Sequence, residues 1–136
     1  MTETQWPVVG FDQTIGLEFV EITPDGVVAT LDIKPHLHQP YGIVHGGVLC
    51  TVVETVGSVS GAAWYTDGVV VGTSNTTNFI RATREGTLTA RSTPVQRGRT
   101  QQLWDVDITD REGRLIARGS LRLANLPDSE RLAQKP

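Results

Sequence analysis

The stretch from Ile43 to Tyr65 is weakly polar throughout, and it limits the possible folds of this chain more than any other feature. It is about long enough to cross a bilayer. However, it carries His45 and Glu54, the glycines Gly46, Gly47, Gly57 and Gly61, and the hydroxyls of Thr51, Thr55, Ser58 and Ser60 spread around a helix. No Lys or Arg closely flanks either end, as interfacial anchors would. The segment therefore reads as a helix buried on most sides inside a soluble fold, and no membrane association is expected.

Such a helix needs a cover, and its neighbours supply strands. Gly16 to Ile22 and Val27 to Ile33 are β-rich runs around Thr23-Pro24-Asp25-Gly26, in which Pro presets φ and Gly suits positive φ, so they read as a hairpin. Four more runs follow the helix: Val69 to Arg81, Thr87 to Val95, Gln101 to Thr109 and Leu115 to Leu123. They are Thr/Val/Ile-rich and are separated by Arg84-Glu85-Gly86, Gln96-Arg97-Gly98-Arg99 and Asp110-Arg111-Glu112-Gly113. Apolar and polar residues alternate in the last two, as in strands with one wet face. Short turns force antiparallel neighbours, and the helix is the element able to cover the apolar face. The expected class is α+β, an antiparallel sheet wrapped around one long helix. Residues 1–136 are expected to form a single domain, with the polar tail from Pro127 to Pro136 a frayed end.

Charge and composition exclude several functions. Twelve Lys+Arg against 15 Asp+Glu give a net charge of -3, and the arginines are interspersed with acids, so no nucleic-acid partner is expected. Cys50 is the single cysteine, which rules out an internal disulfide and a thiolate-rich zinc site, and it reads as a packing thiol. His36 and His38 precede Pro40 in a loop without a supporting shell, so no metal site is expected. No phosphate loop or dinucleotide fingerprint occurs, so no cofactor is expected. The start, Met-Thr-Glu-Thr-Gln-Trp-Pro, lacks a basic region and an apolar run, and a cytoplasmic location is expected.

Most of the chemistry lies in Gln39-Pro40-Tyr41-Gly42-Ile43-Val44-His45-Gly46-Gly47, followed by Glu54 and Ser58. Amides at a helix start lack intrahelical partners, so Gly46 and Gly47 could polarise a carbonyl or bind an oxyanion; alternatively, they let the helix pack tightly on a strand. Glu54 is the only acid between Asp32 and Asp67, set among Val52, Val53, Val56 and Val59 with no cation at helical spacing. It is either a carboxylate that does chemistry or part of a thin polar stripe facing solvent. Ser58, one turn further on, could hold it by a hydrogen bond. Gly46 and Glu54 are eight residues apart, roughly 12 Å along a helix, too far to act on one carbonyl. If both serve one site, a second subunit must contribute one of them, which predicts a homodimer with composite sites.

The set Gln39, His45-Gly46-Gly47, Glu54 and Ser58, in this order of elements, resembles the hotdog-fold acyl-CoA thioesterases. The likeness is to the aroyl-CoA branch, which includes the 1,4-dihydroxy-2-naphthoyl-CoA and enterobactin-pathway proofreading thioesterases. It extends through Val70-Val71-Gly72, Arg81, Arg84-Glu85-Gly86 and Asp110 to Leu115. The resemblance implies that Glu54 is nucleophile or general base on the thioester, that the Gly46 amide polarises its carbonyl with Gln39 and His45 helping to place it, and that Ser58 orients water or the carboxylate. It further implies that the CoA arm lies over Phe79-Ile80-Arg81-Ala82 and over Gln96, Arg97, Gly98, Arg99, Thr100 and Gln101, with Gly47 and Gly72 nearby. Arg81, Arg84, Arg97 and Arg99 are cations that a phosphorylated ADP would need, or else a solvated strand face.

This chain has Phe79 where relatives often carry His, and Thr76 where they often carry Asn. By the same resemblance the substrate is an aroyl-CoA, with 1,4-dihydroxy-2-naphthoyl-CoA and menaquinone biosynthesis as one case, and the dimers pair into a homotetramer. Two other readings stay open: a broad acyl-CoA thioesterase of degradation, acting for example on phenylacetyl-CoA, and a non-catalytic acyl-CoA-binding protein.

Overall fold

A computed structural model describes residues 6–128. The expected N-terminal segment up to Gln5 and the tail from Ser129 onward lie outside the described residues. A short helix α1 (Gly10–Ile15) leads into strands β1 (Glu18–Thr23) and β2 (Gly26–Asp32), and a single 3-10 turn (Pro35–Leu37) precedes the long helix α2 (Gly46–Trp64). Strands β3 (Val69–Phe79), β4 (Thr87–Arg97), β5 (Gln101–Thr109) and β6 (Leu115–Leu126) follow. All pair antiparallel in the order β1-β2-β4-β5-β6-β3, so β1 and β3 are the sheet edges.

The period of each element explains how the layers meet. Along α2 the buried residues Val48, Leu49, Val52, Val53, Val56, Val59 and Ser60 recur every three to four positions and form one apolar stripe. The sheet answers with alternate residues: Val27, Ala29 and Leu31 on β2, Leu88 and Ala90 on β4, Trp104, Val106 and Ile108 on β5, Leu121 and Leu123 on β6. Each fully buried Val or Leu contributes roughly 1.5–3 kcal/mol. α2 has the length and composition to cross a membrane, but half of its apolar window is buried by the chain's own fold.

The helix sits close to the sheet because it presents glycine there. A Cβ at Gly57 would stand 2.6 Å from Leu121 Cδ2 and 3.0 Å from its Cβ. The buried polar groups at this end are satisfied. Gln102 donates to Gly61 O (3.3 Å) and Asn125 Oδ1 (2.7 Å) and accepts from Trp104 Nε1 (2.8 Å), while Ser60 donates to Val56 O (2.6 Å) and shares a hydrogen bond with Ser92 Oγ.

Several boundaries differ from expectation. The helix does begin at the glycine pair, at Gly46, whereas the apolar residues before it pair elsewhere: Val44 forms a bridge with His38 and donates to Thr83 O (2.9 Å). β3 ends at Phe79 rather than Arg81, where the N–H groups of Ile80 and Arg81 converge on Ile116 O. β4 runs on through Gln96 and Arg97 after a bulge at Pro94/Gln96, which shortens the following turn. β6 continues to Leu126. Helix α1, too short to show a period, is tied to α2 by the Thr55 hydroxyl, which donates to Asp12 Oδ1 (2.6 Å).

Candidate active site

The start of α2 is capped by His45, whose Nδ1 accepts from the Gly47 N–H at 2.8 Å. Gly47's amide is therefore engaged, while the N–H of Gly46 has no hydrogen-bond partner among the described residues. The loop before it is fixed by main-chain bonds, with Gln39 N donating to Ile43 O (2.8 Å), Gly42 N to Gln39 O (2.9 Å) and His45 N to Leu37 O (2.8 Å). Gln39 Oε1 accepts from the Tyr41 N–H, which leaves its Nε2 group for other work. The Phe79 ring lies on Gly46, and a Cβ there would be 2.8 Å from Cζ, although the ring is 57% exposed. Ile80, Arg81 and Ala82 follow at the same end of the sheet and are exposed.

Glu54 sits two turns along α2, half-buried, facing β3. Asn75 Nδ2 donates to its Oε2 at 3.3 Å and to Cys50 O at 3.0 Å, while Oε1 lies against the backbone of Gly72. This corrects one expectation: the hydrogen bond to the carboxylate comes from Asn75 on β3, not from Ser58, which is half-buried one turn on.

Asn75 reaches Glu54 because of a bulge. Residues paired directly across strands share a face, and Gly72 pairs with Leu123, which packs on α2. Strict alternation would then turn Ser74, Thr76 and Asn78 toward the helix. The register shift between Gly72 and Ser74 reverses the parity, so Asn75, Thr77 and Phe79 pair with Leu121, Gly119 and Ala117 and face α2 instead. Sequence reading missed Asn75 for this reason; an Asn within a β-rich run was the available signal.

The other segment implied for CoA lies at the far end of the sheet. Gln96 and Gln101 both accept from Arg122 Nη1, at 3.0 and 2.9 Å. Asn125 Nδ2 holds the Gly98 and Arg99 carbonyls, and Asn125 N donates to Thr100 O. Arg97 is already engaged, paired with Asp25 (2.9 Å) and set over the Trp64 ring. Arg81, Arg84 and Arg99 carry no ion pair among the described residues. On β6, Phe79 faces Ala117 and Gln101 faces Ala124, so the two segments stand roughly 23 Å apart in one chain. The structure thus brings together Glu54, Gly72 and Asn75, and separately Gly46, Gln39, His45 and Phe79 to Ala82. It leaves the 96–101 turn away from the helix start. Among the described residues no cluster of metal ligands occurs.

Comparison with known proteins follows the same lines. Residues 41–117 match the thioesterase superfamily. A solved structure from Mycobacterium tuberculosis, of a protein with a provisional esterase name, is 47% identical with a TM-score of 0.85, covering 87% of this chain and 97% of that one. A thioesterase structure from Haemophilus influenzae is 35% identical, with a TM-score of 0.78 and 82% and 79% of the two chains covered. The 1,4-dihydroxy-2-naphthoyl-CoA hydrolase of Escherichia coli K12 is 34% identical over 121 residues, 88% of this chain and 86% of that protein.

Proposed function

This chain belongs to the thioesterase superfamily and has its hotdog fold, and on that premise we propose that it hydrolyses an aromatic acyl-CoA to the free acid and CoA at composite sites of a homodimer. The observation that carries the reading is the Glu54 carboxylate, half-buried and held by one hydrogen bond from Asn75, where a purely structural acid would be paired or fully solvated. The E. coli relative's name supports 1,4-dihydroxy-2-naphthoyl-CoA as one candidate substrate.

In this reading the free Gly46 amide, with Gln39 nearby, polarises the thioester carbonyl as negative charge develops on its oxygen. As general base, Glu54 takes a proton from the attacking water, whose oxygen bonds to the carbonyl carbon; the C–S bond then breaks and that proton passes to the sulfur, releasing free acid and CoA thiol. As nucleophile, Glu54 bonds to the carbonyl carbon and expels CoA thiolate, and water then hydrolyses the resulting anhydride, which frees the acid, regenerates Glu54 and supplies the thiol's proton. Ser58 orients the water. The exposed Arg81 and Arg84 of one subunit and Arg99 of the partner subunit meet the phosphates of CoA.

The edge strand supports the proposed dimer. β3 offers eleven residues, Val69–Phe79, with no charge and no proline to discourage pairing. A two-fold antiparallel pairing of β3 with its copy, centred near Asn75 and Thr76, sets the Phe79 and Gly46 end of one subunit across from Gly72 and Glu54 of the other. This arrangement removes the separation of roughly 12 Å between Gly46 and Glu54 within one chain. Pairing of such dimers into a tetramer would not alter the site.

The test is thiol release from benzoyl-, naphthoyl-, phenylacetyl- and straight-chain acyl-CoAs, with wild type and Glu54→Ala side by side. Preference for aromatic thioesters, lost in the variant, is the expected outcome. Equal turnover of all chains would favour the broad-specificity enzyme. Tight acyl-CoA binding without turnover would leave a non-catalytic binder.

A further inference from the structure

We propose that Asn75, backed by Thr77, is the positioning residue that sets the Glu54 carboxylate for reaction; this rests on the catalytic reading of Glu54 above. The carboxamide is fully committed. Its two N–H groups reach Cys50 O (3.0 Å) and Glu54 Oε2 (3.3 Å), and its Oδ1 accepts from the Thr77 hydroxyl at 2.7 Å. Thr77 therefore decides which way the amide faces: a flipped Asn75 would present oxygen to the carboxylate and lose both donors.

Cys50 is four residues before Glu54, so its carbonyl belongs to the helical turn that carries the acid. Asn75 is thus bolted to the backbone beneath Glu54 as well as to its side chain. This fixes Oε2 and leaves Oε1, which lies against Gly72, as the oxygen without a hydrogen-bond donor among the described residues. Fold stability gives little reason for the arrangement. Asn is a poor strand former, so the strand itself does not call for it at this position. What the network adds is a fixed direction for a flexible side chain, which is the quantity a reacting carboxylate needs.

The test compares steady-state kinetics of Asn75→Ala, Asn75→Asp, Thr77→Val and Thr77→Ser with wild type and Glu54→Ala, using a thioester that wild type turns over. The expected result for Asn75→Ala is a kcat lowered roughly 10- to 100-fold with KM within about twofold. Asn75→Asp, isosteric but without the donor, should lose at least as much. Thr77→Val should lose severalfold and Thr77→Ser should recover it. A merely structural role would not confine the loss to kcat and would not distinguish Val from Ser at position 77. Wild-type kcat in Asn75→Asp, equal rates in the two Thr77 variants, or losses confined to KM would each overturn the proposal. Should an Asn75 variant fail to fold, the Thr77 pair decides alone. Full activity in Glu54→Ala overturns the catalytic reading itself; an inactive Glu54→Ala beside a fully active Asn75→Asp overturns only this inference.

Discussion

Oε1 of Glu54 lies so close to the backbone of Gly72 that a Cβ at that position would occupy its place. The contact joins the middle of α2 to the edge strand β3 just before the bulge that turns Asn75 inward. The carboxylate therefore rests on a main-chain floor, with one oxygen over Gly72 and the other hydrogen-bonded to Asn75. A hydroxyl or methyl in that floor would push it out.

Gly72→Ala separates activity from stability for this reason. The atom that must yield is the end of a flexible side chain, so unfolding in urea should shift by no more than about 0.5 kcal/mol. The displaced carboxylate should lower kcat about tenfold or more. Chevron or equilibrium unfolding beside thioester hydrolysis checks both halves, and unchanged kcat would show that the floor does not matter.

Gly57→Ala should behave in the opposite way. In an open helix interior that change would gain up to about 1 kcal/mol. Here the new methyl meets Leu121 Cδ2 at 2.6 Å and its Cβ at 3.0 Å, with the sheet backbone behind. The helix must lift from the sheet, and overpacking of this kind costs roughly 1–3 kcal/mol. A higher unfolding midpoint in the variant would mean that α2 is not tightly seated on β6.

How much of this was legible in the sequence depends on the range of each signal. The alternation in Leu103 to Ile108 and the apolar run through α2 report burial directly, so the helix, the strands and the wrapped sheet were readable. Glu54 and Gly46 stood out as an isolated acid and a glycine pair at a helix start. Asn75 did not, because its direction depends on a bulge, and a bulge changes parity without changing composition. The proposed hydrogen bond from Ser58 failed for a related reason. Spacing at i and i+4 shows which side chains share a face, but the partner of Glu54 comes from a strand.

The outer face of the sheet gives a pH dependence. Arg118 donates from Nε to Asp107 Oδ1 (2.6 Å) and from Nη2 to Oδ2 (3.0 Å), and this hydrogen bonding, against some burial, holds the Asp107 carboxyl below its ordinary value of 3.8. A carboxyl lowered in the folded state adds stability above its unfolded value, lost as the pH falls through the folded one. Both side chains are substantially exposed, so solvent screening keeps the pair's contribution small. Urea unfolding should therefore find Arg118→Ala slightly less stable than wild type at neutral pH and indistinguishable from it at about pH 2. A gap that persists in acid would assign the effect to packing of the arginine stem.

The proposed composite sites make a prediction that single variants cannot. Gly46→Val would block the helix-start amide and crowd the Phe79 ring, and Glu54→Ala removes the acid, so each homodimer should be inactive. In a mixed dimer the Glu54→Ala subunit still supplies Gly46 and the Gly46→Val subunit still supplies Glu54, which restores one of the two sites. With random pairing, half the dimers are mixed, and activity should return to about a quarter of wild type. The measurement is thioester hydrolysis after the two variants are co-refolded in equal amounts, with sedimentation confirming dimers. Dimers that form and stay inactive would mean that each site draws both residues from one chain. That outcome would require α2 to break between Gly46 and Glu54, since an intact helix keeps them roughly 12 Å apart.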